Sequence, residues 1–142
     1  SQAVLLSWSD EVLAPAICFE ITFPREVAER VRRGGTVLIT VTNDSWYGDS
    51  WAPWQHFRAA RFRAAENGRY LLRAAITGVS AVVRPDGSVE SRLGVGEQGI
   101  LAAEIPGLDR LTPYSRAPWA VPAVSLVMAA FAILRGRRGK PR

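Results

Sequence analysis

The sequence predicts an α/β domain. Three features predict it: apolar β-branched runs alternate with helical segments up to residue 67, glycines close both helical segments, and the runs after residue 70 are separated only by turns. Strand, helix, strand, helix and then successive strands is an α/β pattern with an antiparallel finish.

Residues 12–18 (VLAPAIC) read as a short buried strand and 19–23 as a turn. The segment 24–33 (PREVAERVRR) reads as a helix: Pro24 stands near its start, Val27, Ala28 and Val31 share a face, and Gly34-Gly35 ends it. The run 36–42 (TVLITVT) is β-branched and apolar, hence a buried strand. A polar and aromatic loop fills 43–53, and 54–67 has helical composition closed by Gly68. Strands are expected at 70–76 and 79–84 around Thr77-Gly78, then at 89–93 and 99–105, with Pro85-Asp86-Gly87 as a strong turn signal.

Of the 142 residues, 48% are apolar, which excludes a disordered chain and suffices for one modest core. The formal charge of +5 has a local origin. Arg135, Arg137, Arg138, Lys140 and Arg142 supply it, and without them 13 residues of each sign remain. The domain therefore has no basic face of the kind that binds nucleic acid. No signal peptide is visible after Ser1. Residues 117–134 carry no charge. As a helix they would span about 27 Å, close to a hydrocarbon core of about 30 Å. Trp119 sits where an interfacial anchor belongs, and the cations follow Leu134 directly. This predicts a transmembrane helix at 117–134 and a cytoplasmic tail at 135–142, with the preceding domain on the outer side. A buried C-terminal helix is the competing reading, because Pro118 and Pro122 shorten the confident run.

Cys18 is the one cysteine and His56 the one histidine, and neither CxxC nor HExxH spacing occurs. No disulfide within the chain is possible and no metal site is expected. Cys18 stands at the end of an apolar strand, before a turn into a helix. Such an elbow lifts a side chain out of the sheet, and N–H groups at a helix start stabilise negative charge on a substrate oxygen. The same environment favours the thiolate, the reactive form. Position alone favours a buried structural cysteine; the neighbouring residues point elsewhere.

Ile17-Cys18-Phe19-Glu20 followed by Phe23-Pro24 resembles the nucleophile motif of the nitrilase (carbon–nitrogen hydrolase) superfamily. Thr42-Asn43-Asp44-Ser45-Trp46-Tyr47-Gly48-Asp49 resembles the strand-end loop of its apolipoprotein N-acyltransferase branch. Gln55-His56, Ala60-Arg61, Arg63-Ala64, Glu66, Arg69, Thr77 to Ala81, Pro85-Asp86-Gly87 and Leu111 to Tyr114 continue the likeness in order and spacing. The resemblance implies the C-terminal half of a nitrilase-type α-β-β-α sandwich at 1–110, followed by a connector at 111–116 and one transmembrane helix. It places the chain in the bacterial inner membrane, with the catalytic domain on the periplasmic side and the C-terminus in the cytoplasm.

The chemistry implied by the resemblance is that of a Glu–Lys–Cys triad working without a cofactor. Cys18 would take an acyl chain from a phospholipid as a thioester, and the amino group of a lipoprotein's diacylglyceryl-cysteine would then attack it. The backbone N–H of Phe19 would donate to the oxyanion, and Glu20 would support the site with its carboxylate, a residue also suited to a helix start. Trp46 and Tyr47 would wall the lipid's way in, or pack on the domain as ordinary loop aromatics. Asn43 and Asp44 read as turn-shaping side chains. Arg63 and Glu66 read as neighbours on one helix face behind the site, and His56 as a surface or core histidine with no catalytic task.

Two departures qualify the likeness. Phe19 stands where the family usually has Tyr, which keeps the backbone donor and loses a hydroxyl. The family's Glu and Lys lie well upstream of the cysteine, yet 17 residues precede Cys18, Glu11 is the only carboxylate nearby, and no lysine occurs before Lys140. The expectation is a fragment of a longer protein, or the remnant of a broken gene, that does not turn over alone. A membrane-tethered carbon–nitrogen hydrolase (an amidase) and a non-catalytic membrane-anchored domain with a structural Cys18 are the alternatives.

Overall fold

The computed structural model describes residues 4–138. Among them six strands form one mixed sheet in sequential order: β1 (Leu6–Trp8), β2 (Glu11–Ile17), β3 (Val37–Asn43), β4 (Leu71–Ile76), β5 (Ser80–Val83) and β6 (Val89–Leu93). β2, β3 and β4 run parallel, while β1, β5 and β6 add antiparallel neighbours at the two sides. Parallel neighbours need crossovers. Helix α1 (Pro24–Arg32) joins β2 to β3, and α2 (Ala52–Asn67) joins β3 to β4.

The register sorts the side chains onto two faces. Ala14 pairs with Leu38 and Leu38 with Leu71; Ala16 pairs with Thr40 and Thr40 with Arg73. All of these are buried. Val27 and Val31 of α1 and Phe57, Ala60 and Ala64 of α2 belong to the same core. Each buried valine contributes roughly 1.5–3 kcal/mol. The opposite face differs. Ile17, Val41 and Ile76 point there and are 52%, 45% and 63% exposed, whereas Val37 and Val82 are buried, so this side of the sheet is apolar and open at its Cys18 end.

Several expectations shift. The first buried strand ends at Ile17, and Cys18 opens a single 3₁₀ turn at Cys18–Thr22. The hairpin strand β1 was not expected. Residues 99–105 form no strand. The chain turns at Gly94 and Gly96, whose backbones bond Glu97 and Thr77, and leaves the edge of β6. Gly99 and Leu101 then sit beside Leu72 and Leu93, where their backbone joins no ladder.

The expected 117–134 helix is also corrected. Helix α4 occupies Ala120–Arg138, and no helix among the described residues is long and apolar enough to cross a membrane. Pro122 explains the late start: it has no N–H to donate and is tolerated only in a first turn, so the helix begins just before it. Its C-terminal end reaches into the cationic run. Lys140 and Arg142 lie outside the described residues.

The segment 111–116, expected as a connector, contains the short helix α3 (Pro113–Arg116) and is bonded to the domain. Thr112 Oγ1 caps α3 by accepting from the Ser115 N–H at 3.0 Å, and Ser115 Oγ donates to Asn67 Oδ1 at 2.9 Å. Beside them Arg69, 1% exposed, donates to the carbonyls of Gly35, Asn67, Gly68 and Arg110. Burial pulls the Arg69 pKa down, opposed by nearby Asp109. Replacing this residue by methionine strands four carbonyls. Arg69→Met is expected to destabilise the protein by about 3–5 kcal/mol, read as a lower unfolding midpoint in urea; an unchanged midpoint would show that the carbonyls find other donors.

Candidate active site

The C-terminal ends of the parallel strands gather the residues singled out in the sequence. β2 delivers Cys18, β3 delivers Asn43 and Asp44, and the turn after β3 delivers Trp46 and Tyr47. Cys18 is partly buried and has φ 51°. A left-handed backbone is unusual for a residue with a side chain and costs roughly 1–2 kcal/mol. It turns the chain sharply from strand into 3₁₀ turn. Cys18 lines an open groove of about 580 Å³ with Ile17, Val41, Asn43, Ala74 and Ile76. The groove lies on the open apolar face of the sheet.

The turn is braced by a carboxylate. Glu20 Oε2 accepts from the Ile17 N–H at 3.0 Å and from Arg30 Nη2 at 2.9 Å. Glu20 thus closes the elbow onto α1. Phe19 is half-exposed; its ring meets Phe23 edge-on at 5.7 Å and lies 6.4 Å from the His56 ring. Its N–H stands at the start of the 3₁₀ turn, where helical donors lack an acceptor within the helix.

Beside the elbow, Trp46 stacks on Tyr47 at 4.2 Å, and Tyr47 meets His56 edge-on at 6.1 Å. Trp46 is exposed. Burial first, then the Asp44 carboxylate and Cys18, push the Tyr47 hydroxyl pKa up, which keeps it protonated and able to donate. Asn43 shapes its turn as expected of its type, with Oδ1 accepting from the Ser45 N–H at 3.0 Å.

Asp44 does something else. Its side chain is not a turn-former but a buried ion-pair partner. Oδ2 accepts from Arg73 Nη2 at 2.7 Å, and Oδ1 lies 3.0 Å from both Thr42 Oγ1 and His56 Nδ1. The side chains of Asp44 and Arg73 are sealed from solvent. Burial lowers the Arg73 pKa, and Asp44 is the main opposing influence. His56 is buried as well and places Nε2 3.2 Å from the Cys18 carbonyl oxygen. Arg73 was missed in the sequence; His56, read as a surface or core histidine, is a core one, and its contacts with Asp44 and Cys18 were not foreseen. A signal existed for His56: it shares the buried stripe of α2 with Pro53, Phe57, Ala60, Arg63, Ala64 and Asn67.

Arg63 and Glu66 pair at 2.6 Å on α2. Arg63 also reaches the Thr22 carbonyl at 3.4 Å, the far end of the elbow turn from the thiol. Glu11 lies at the opposite end of β2 from Cys18, held by Thr36 Oγ1 and the Gly107 N–H; it is not near the thiol. No cluster of three or more potential metal ligands occurs among the described residues.

The brace predicts its own failure. Glu20→Ala removes the acceptor of the Ile17 N–H and leaves buried Arg30 without its carboxylate. A stability loss of about 1–3 kcal/mol is expected, together with slower alkylation of Cys18 by iodoacetamide. Unchanged values of both would show that the elbow holds without Glu20.

Comparisons with known proteins agree with this geometry. The carbon-nitrogen hydrolase family model matches residues 4–114. The chain is 46% identical over 126 residues to an apolipoprotein N-acyltransferase of Ralstonia nicotianae, covering 84% of this chain and 24% of that protein. It is 37% identical over 142 residues to one of Pseudomonas paraeruginosa, covering 99% of this chain and 27% of the relative. The chain thus spans about a quarter of the length of the curated relatives it matches. Among solved structures, the NitN amidase of Nesterenkonia sp. AN1 superposes with a TM-score of 0.61 at 26% identity, over 87% of this chain and 48% of the amidase. A nitrilase-like α/β fold with a mixed sheet, the cysteine elbow and the family match converge, and the chain belongs to the carbon-nitrogen hydrolase family.

Proposed function

We propose that the chain is the nucleophile-bearing part of an apolipoprotein N-acyltransferase. The observation that carries this reading is Cys18, held left-handed at a strand end and opening onto an apolar groove. A groove floored by Ile17, Val41, Ala74 and Ile76 suits an acyl chain. In the proposed reaction the Cys18 thiolate attacks the ester carbonyl of a phospholipid. The Phe19 N–H donates to the oxyanion. The C–O bond breaks, the glycerol oxygen takes a proton, and a thioester and a lysophospholipid result. The free amine of a diacylglyceryl-cysteine then attacks the thioester, forming the amide and releasing the thiol.

This chemistry needs a base to take the thiol proton and a cation near the oxyanion. Glu11 is at the wrong end of β2, so in this proposal both groups come from other parts of a longer protein. Trp46 and Tyr47 form the wall along which lipid approaches. An amidase would use the same cysteine; the 37–46% identity to acyltransferases, against 26% to the amidase, favours acyl transfer. A purely structural cysteine is disfavoured because Cys18 lines the groove.

The membrane part of the proposal rests on α4. Its Leu126, Val127, Met128, Phe131, Ile133 and Leu134 are exposed, and a helix that presents so many apolar side chains calls for an apolar solvent. With residues 117–119 in front of it, this uncharged run meets the lipid of the bacterial inner membrane. The arginines that follow stay on the cytoplasmic side and the domain on the periplasmic side.

Two experiments on the full-length protein test this reading. With phospholipid carrying a labelled acyl chain, the parent is expected to acquire a hydroxylamine-labile label and pass it to a diacylated lipopeptide. Cys18→Ala should abolish both; transfer that survives Cys18→Ala refutes the nucleophile assignment, and hydrolysis of amides without transfer supports the amidase instead. For orientation, fluorescent protein fused after Arg142 should fluoresce while alkaline phosphatase there stays inactive. The reverse pattern overturns the cytoplasmic assignment of the C-terminus.

A further inference from the structure

We propose that His56, fixed by Arg73 and through it by Asp44, is a positioning residue that holds the Cys18 carbonyl and with it the left-handed elbow. The inference rests on Cys18 being the nucleophile. Strained backbone persists only where its surroundings over-determine it. Two polar contacts bracket Cys18. On one side the Ile17 N–H donates to Glu20; on the other the Cys18 carbonyl faces His56 Nε2 at 3.2 Å. A carbonyl only accepts, so Nε2 must carry a proton to bond it.

The far edge of the ring is fixed in turn. With the proton on Nε2, Nδ1 of the neutral ring is an acceptor: it takes a hydrogen from Arg73 Nη2 at 3.3 Å, while Asp44 Oδ1, itself an acceptor 3.0 Å away, takes the Thr42 hydroxyl. Arg73 is itself held by Asp44 and by the Val79 carbonyl at 3.0 Å. Gly78 packs directly against the Asp44 carboxylate, where even a β-carbon would collide. The end of β3, helix α2, strand β4 and the turn after it therefore converge on one backbone oxygen. Burying such a network gains little stability over an apolar filling of the same volume. What it supplies is orientation.

The network meets Cys18 at its carbonyl. Arg73 lies on the helix-covered face of the sheet, while Ile17, Val41 and Ile76 beside Cys18 share the other. His56 acts through the backbone of Cys18 and not on substrate. A nucleophile displaced by about 1 Å loses on the order of 100-fold in rate, so the carbonyl tether sets the rate of acylation while leaving lipid affinity alone.

The test uses the full-length enzyme and two isosteric variants. His56→Gln can keep a donor at the Nε2 position; His56→Asn keeps a group near Asp44 and loses the reach to Cys18. Their melting temperatures control for folding. The expected result is a kcat for labelled phospholipid about 10- to 100-fold lower in His56→Asn, with KM within about twofold. Alkylation of Cys18 by iodoacetamide should fall in parallel, and His56→Gln should recover most of both. Equal losses in the two variants, or losses that only follow the folded fraction, would overturn the proposal. Full transfer by Cys18→Ala would instead remove the nucleophile reading on which it stands.

Discussion

The ion pair between Asp44 and Arg73 is withdrawn from water on every side, and the elbow end of the sheet is organised around it. Neither partner tolerates loss of the other, because an unpaired charge at such a site has no solvent to turn to. The pair therefore demands that β3 and β4 keep their register, that the turn after β4 stay close, and that α2 present a polar residue to it. His56 meets the last demand by accepting from Arg73. Gly78 meets the second by having no side chain, since its backbone lies against the carboxylate.

The two faces of the sheet divide the labour. The helix side is dry and packed, with small residues such as Ala14, Ala16, Ala60 and Ala64 allowing close approach of helices to strands. The other side is apolar and open around Cys18. Parallel strands ordinarily have both faces covered, so the open groove is an apolar surface of the kind that receives another layer or an apolar ligand. Only the helix side is a self-sufficient core among the described residues. The cysteine sits where the two sides meet: its carbonyl faces the packed side and its thiol opens to the groove.

Much of the scaffold was legible along the chain. Pro24 and Gly34 bound α1 within a residue of its observed limits, and the β-branched run 36–42 is β3 shifted by one. Local chemistry decides such elements. Residues 99–105 misled because strand-like composition cannot supply a ladder partner; Gly94 and Gly96 had already turned the chain off the sheet edge. The start of α4 was misplaced because an uncharged run marks hydrophobicity, whereas a missing N–H at Pro122 governs where a helix begins.

The sequence by itself determined an α/β order of elements, an elbow at Cys18 and a motif set resembling one acyltransferase branch. Those properties depend on neighbours within a few residues or on the order of short motifs. Only the tertiary structure decided what Asp44, His56 and Arg73 do. Asp44 meets His56 across 12 residues and Arg73 across 29, and His56 meets the Cys18 carbonyl across 38. No periodicity encodes contacts at such separations. An aspartate after a strand is a plausible turn residue until a parallel crossover brings an arginine beneath it, and burial then converts a local hydrogen-bonder into one end of a long-range ion pair.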